Sequence, residues 1–119
     1  MVADDEAAFS CFAKASKKNY GPAYYYMGLC HQSGRGTELN SKQALKFYKT
    51  GATLNDPECH MAPAEAYADG EIVKKDFRKA EKHIAEAAKH IPETHLLIKE
   101  KLVRTKQFVQ FVKYRDSEE

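Results

Sequence analysis

Apolar positions along this chain follow a helical rhythm and do not alternate as a strand would. From Pro22 to Ser33, the residues Ala23, Tyr26, Met27 and Cys30 fall at i, i+3, i+4 and i+7, a single buried stripe. Pro22 suits the first turn, where its missing N–H costs nothing. Gly34-Arg35-Gly36 stops the helix, because glycine accepts the left-handed geometry of a C-terminal cap. Asn40 or Ser41 is then placed to cap a second helix, over about Lys42 to Thr53, that buries Ala44, Phe47, Tyr48, Gly51 and Ala52. The plan recurs. Asp56-Pro57 opens a helix with Cys59, Ala62, Ala66 and Tyr67 inward and Gly70 at its end. Asp76 caps another, running to about His90 and burying Ala80, Ile84, Ala87 and Ala88. The opening segment, about Asp5 to Lys18, reads as the second helix of a pair. After Pro92 a further first helix begins at His95, Ile98 and Leu102, and the pattern then decays.

Sliding the sequence against itself by 36 positions explains this recurrence without a gap. Ala8, Ala44 and Ala80 coincide, as do the large apolar residues Phe12, Tyr48 and Ile84. The small residues Ala15, Gly51 and Ala87 coincide, and beside them Ser16, Ala52 and Ala88. Asn19 meets Asn55, Gly34 meets Gly70, and Ala23 meets Cys59. A small residue, a large one four positions on and then a small pair describe a helix that packs closely against another. The expected organisation is one domain over 1–119: a half repeat at 5–19, full repeats at 20–55 and 56–91, and a helical cap at 92–119.

These residues resemble the Sel1-like repeat, a relative of the tetratricopeptide repeat. The first unit offers Ala23, Met27-Gly28, Gly34-Arg35-Gly36, Gln43-Ala44, Phe47-Tyr48 and Gly51-Ala52; the second offers Cys59, Tyr67, Gly70, Asp76, Lys79-Ala80, Ile84 and Ala87-Ala88. His31 departs from the family's Tyr. Pro63-Ala64 departs from its Leu-Gly and should remove a hydrogen bond and kink the helix. The cysteine pairs of the family's secreted subgroup are missing, since Ala52, His60, Ser16 and Tyr24 stand in those places. The resemblance implies an all-α, right-handed α-α superhelix of about two and a half helix-turn-helix units with a C-terminal capping helix.

Composition narrows the function classes. Apolar residues make up 43% and charged residues 30% of the 119, which suits a folded helical chain. The net charge of +2 does not supply the concentrated basic face that nucleic acid requires, so no nucleic-acid partner is expected. The lysine clusters at 14–18 and 74–82 read as solvated helix faces. No apolar run approaches the roughly 18 residues of a membrane span, and the acidic start lacks a signal-peptide core. No membrane association is expected, and a cytoplasmic location is favoured. Three irregularly spaced cysteines (Cys11, Cys30, Cys59) read as reduced packing residues.

Candidate chemistry is sparse. Gly34-Arg35-Gly36 follows a helix and has no Gly-Lys-Ser/Thr ending, so it reads as a turn and not a phosphate loop. His83 occupies the aromatic slot of its repeat and reads as packing. No His-Glu-x-x-His or Cys-x-x-Cys spacing occurs. No catalytic residue, metal ligand or cofactor is expected, and the chain is not read as an enzyme. Three consecutive tyrosines span about 200° of a helix and cannot share one face. Tyr26 is assigned to the core, Tyr24 to a helix contact and Tyr25 to a free surface. The resemblance implies that the first helix of each unit lines the inner surface where partners bind. Carried over by position, that surface is Tyr25, Leu29, Gln32, Met61, Glu65 and Asp69. The function implied is a protein-protein interaction module, an adaptor or scaffold for a protein or peptide partner. The alternative is a structural segment that self-associates, as a homo-oligomer, through its open repeat end and its apolar C-terminal tail.

Overall fold

The computed structural model describes residues 2–118, with side chains from residue 5. It contains six helices: α1 (Val2–Ser16), α2 (Gly21–Ser33), α3 (Ser41–Thr53), α4 (Pro57–Asp69), α5 (Phe77–Lys89) and α6 (Leu96–Ser117). Among the described residues there is no strand. Consecutive helices pack on one another along the chain, and α6 packs against both α4 and α5.

The helix ends follow local chemistry that repeats with the units. Asn40 and Asp76 occupy equivalent places, and their side chains accept the N–H of Gln43 and of Lys79, at 3.0 and 3.1 Å. Asp56 caps α4 by accepting the Cys59 N–H at 3.1 Å. Each cap satisfies one of the donors that a helix start leaves orphaned. Gly34 and Gly70 end α2 and α4 at φ 73° and 72°. Asn19 and Asn55, matched by the internal repeat, both adopt left-handed backbone at φ 60° and 64°, turning the chain from one unit into the next. Asparagine tolerates this region better than most residues.

Close packing is set where α3 meets α2. A Cβ added at Gly28 would fall inside the Tyr48 ring, so that ring sits directly on the α2 backbone. The Tyr48 hydroxyl donates to Gln32 Oε1 at 2.6 Å, which satisfies the polar end of an otherwise buried side chain. The second unit substitutes Ala64 and Ile84 at these two places, both in one core cluster with Met61, Tyr67, Ala80 and Ala87. A slightly larger residue on the first helix thus accompanies a smaller one on the second.

A ring cluster is conserved in geometry while its residue types change. In the first unit Phe47 lies 5.5 Å from His31 and 6.2 Å from Tyr24. In the second, His83 lies 5.9 Å from Tyr67 and 5.4 Å from His60. Each position differs from its counterpart by 36 residues. Imidazole has moved from one side of the stack to the other two. His60 and His83 also share a hydrogen bond between their Nδ1 atoms at 3.1 Å, so one must donate and the other accept. Burial, then the neighbouring His60 and the charges of Lys49 and Lys82, push His83 down to about 4; burial lowers His60 too.

Several expectations from the sequence need correction. Tyr26, assigned to the core, is 43% exposed, although its ring stacks on Phe12 at 4.9 Å. Cys30 is half-buried, and Cys11 and Ala88 are exposed, because the outer sides of α1 and α5 face solvent. Ile98 is only half-buried, while α6 packs on α4 and α5 through Leu102, Thr105, Val109 and Val112. Pro63 lies inside α4, as expected, and is buried. The three cysteines are unpaired, as expected.

Tyr48→Ala is expected to cost about 2–4 kcal/mol, since it empties the contact between α2 and α3. Gly28→Ala should cost about 1–3 kcal/mol by overpacking the same contact from the other side. Urea unfolding measures both, and a Gly28→Ala protein as stable as the parent would contradict the close approach. The histidine pair predicts a pH effect. Unfolded imidazoles titrate near 6.5. From there down to about 4, the unfolded chain binds protons that folded His83 refuses, so stability falls as pH falls. Asp56 and Glu65, whose carboxyls burial raises, act in the opposite sense at the acid end. Allowing for solvent screening, the histidine effect should be about 1–2 kcal/mol between neutral pH and the low end of that window. His83→Phe, which restores the ring of the first unit, should flatten the profile, and an unchanged slope would exclude His83 as its source.

Candidate functional site

A hollow of about 260 Å³ opens between α2, α4 and α6. Five of the six residues expected on the inner surface line it: Tyr25, Leu29, Gln32, Met61 and Glu65. The sixth, Asp69, lines an adjoining hollow of about 80 Å³ that shares Gln32, Tyr48, Ala62 and Glu65 with the first. The two form one groove along α4.

Two of these residues are not the exposed contacts that the sequence suggested. Tyr25 is 7% exposed and Met61 2%. They form the floor, while Leu29, Gln32 and Glu65 stand at the mouth and Asp69 is half-buried. The reason is that a first helix in the stack has several neighbours. α2 packs on α1, α3 and α4, and α6 supplies a lysine over its remaining side. The Tyr25 ring leans on Tyr26 and Tyr48, with centroids 5.5 and 5.9 Å away. The Lys101 ammonium lies 4.5 Å from the ring centroid of Tyr25. It also donates to the Tyr25 hydroxyl and, at 2.7 Å, to Glu58 Oε2. Burial alone would lower Lys101, but its bonds to Glu58 and Tyr25 outweigh that and hold its ammonium above the usual range. Burial raises the Tyr25 hydroxyl, with Lys101 opposing. One side chain of α6 thus ties α2 to α4.

The groove's other acids are less well matched. The Thr105 hydroxyl donates to the Lys101 carbonyl at 3.0 Å, and Glu65 Oε1 lies 3.4 Å from the same hydroxyl. Burial between the walls raises the Glu65 carboxyl, although its tip reaches solvent at the mouth. Asp69 accepts the Glu71 N–H at 3.0 Å.

Reading the sequence missed Tyr48, Glu58, Lys101 and Thr105 as groove residues. For the last two a signal existed. Leu29, Glu65 and Lys101 are each 36 residues apart, and so are Ser33, Asp69 and Thr105. Extending the register past Pro92 places α6 as a third first-helix, although its apolar pattern no longer looks like the others. Among the described residues, no three His, Cys, Asp or Glu side chains are placed to hold a metal ion, and no helix is long and apolar enough to cross a membrane.

Comparison with known proteins agrees with this architecture. Residues 1–20, 21–56 and 58–90 match the Sel1 repeat family. A 42-residue stretch is 45% identical to DAP3-binding cell death enhancer 1 of Mus musculus, covering 35% of this chain and 8% of that protein. A Sel1 repeat protein from Oxalobacter formigenes superposes with a TM-score of 0.69 at 31% identity, over 72% of this chain and 35% of that one. A protective antigen of uropathogenic Escherichia coli strains, displaying an SLR fold, superposes at 0.63 with 21% identity, over 68% and 17%. This chain therefore spans only a part of the length of each. Sel1 repeats generally act as protein-protein interaction modules and are typically non-catalytic scaffolds. With matches across most of its length, the chain belongs to the Sel1 repeat family.

Proposed function

We propose that this chain is a non-catalytic interaction module that seats a segment of a protein partner in the groove between α2, α4 and α6. The observation that carries this reading is the convergence of three successive first-helices on one hollow, at the same repeat positions. Its floor is apolar and aromatic, and its rim is polar, which is the make-up of a recognition surface. The volume, below the roughly 300–1,000 Å³ of small-molecule sites, suits one or two inserted side chains better than a whole metabolite. The matched mouse protein is named for binding DAP3, which supports a protein as the kind of partner.

A second reading has its own support. α6 carries a line of exposed apolar residues, Leu96, Val103, Phe111 and Tyr114, on the side away from α4 and α5. Self-association through this helix is compatible with binding in the groove, and light scattering over a concentration series reports it.

Hydrogen exchange on the complex with a captured partner tests the main reading. Protection is expected in α2, α4 and the first half of α6. Leu29, at 37% exposure, is the cleanest probe, because its side chain stands at the mouth. Leu29→Ala should weaken partner binding by about 1–2 kcal/mol. It should change folding stability by no more than about 0.5 kcal/mol. A footprint confined to α1, α3 and α5, or to the outer side of α6, would defeat the assignment.

A further inference from the structure

The charge of the groove specifies more than its location. Four ionisable groups of opposite sign share it: Glu58, Glu65 and Asp69 on α4, and Lys101 on α6. Lys101 is already committed, bonded to Glu58 and to Tyr25, so this pair cancels. Glu65 and Asp69 are left. Among the described residues, neither has a cationic side chain within ion-pair distance. Glu65's one side-chain partner is the Thr105 hydroxyl, at the long distance of 3.4 Å. The two carboxylates lie four residues apart on α4, hence on one face and one turn apart. Beneath the Glu65 end, Leu29, Met61 and Ala62 provide an apolar wall.

Resting on the groove as the partner site, we infer that it accepts an arginine or lysine side chain from a basic segment of the partner protein. The aliphatic stem lies against Leu29, Met61 and Ala62, as long basic side chains do on apolar surface. The charged head meets Glu65, with Asp69 one turn further on. Glu65 has no ion-pair partner among the described residues and feels Lys101 only from beyond ion-pair distance, so a guest cation at the mouth supplies a direct partner that the fold withholds. An acidic segment finds no equivalent partner, because the groove's lysine is bonded on two sides within the protein.

The experiment uses the whole chain labelled with nitrogen-15 and four pools of capped decapeptides. The pools are degenerate over uncharged residues at every position except the centre, which is fixed as Arg, Lys, Gln or Glu. The Arg and Lys pools should shift the amide signals of Leu29, Gln32, Met61 and Glu65, and the Gln and Glu pools should not. Glu65→Gln should weaken the Arg pool at least tenfold while thermal unfolding stays unchanged or rises, since the substitution removes a carboxylate without an ion-pair partner. Asp69→Asn should weaken it less. Equal shifts from the Gln pool, or full binding by Glu65→Gln, would overturn the inference. Shifts of the same signals by the Glu pool would also overturn it while leaving the groove as a binding site. If no pool moves these signals the inference falls, and the partner footprint alone decides the reading on which it rests.

Discussion

The contact of the Tyr48 ring with the bare backbone at Gly28 fixes the distance between the first two full helices, and much else follows from that distance. With the ring seated, its hydroxyl reaches Gln32, and its face supports Tyr25. Tyr25 in turn presents its hydroxyl to Lys101, which grips Glu58 on α4. A chain of aromatic and charged contacts therefore runs from α3 through α2 to α6 and back to α4. A side chain at Gly28 would push α3 outward and widen the groove at its floor. Burial raises the Tyr48 hydroxyl strongly, so it remains a neutral donor to Gln32 across the physiological range.

The repeat preserves volumes and shapes more faithfully than residue types. Gly28 with Tyr48 becomes Ala64 with Ile84, and the His31, Phe47 and Tyr24 rings become Tyr67, His83 and His60. Flat rings of similar size fill the space in both units, which is what dense interior packing demands. The imidazole cluster thereby arises from packing, and the pair His60 and His83 pays a titration penalty that the Phe47 ring of the first unit avoids. The buried His31 of that unit escapes isolation because its Nδ1 bonds the Glu38 carbonyl at 3.0 Å.

The fold was legible because it is encoded locally and more than once. Caps at Asn40, Asp56 and Asp76, stops at Gly34 and Gly70, and the register of 36 residues each point to the same helix pairs. The groove was only partly legible. The positions Tyr25, Leu29, Gln32, Met61 and Glu65 do converge, yet the exposure of Tyr25 and Met61 was misjudged. One helix's periodicity tells how wide its apolar face is. It does not tell how many neighbours that face and its flanks will meet. Tyr26 and Tyr25 exchanged roles for this reason: α1 covers Tyr26 only in part, while α3, α4 and α6 converge on Tyr25.

α6 does two things with two sides of one helix. Leu102, Thr105, Val109 and Val112 bury the side of α6 that packs on α4 and α5. Lys101 and Thr105, on the flank toward α4, complete the groove. Thr105 belongs to both sets, and a valine there would pack as well but leave Glu65 without its hydroxyl. The placement of Lys101 has the larger consequence. By taking Glu58 and Tyr25 as partners, it spends its charge on holding α2 and α4 together. A lysine one turn later, at the place of Thr105, would instead pair with Glu65 and leave Glu58 unmatched. Where the groove's unmatched negative charge lies is thus set by where, along a single helix, its lysine falls.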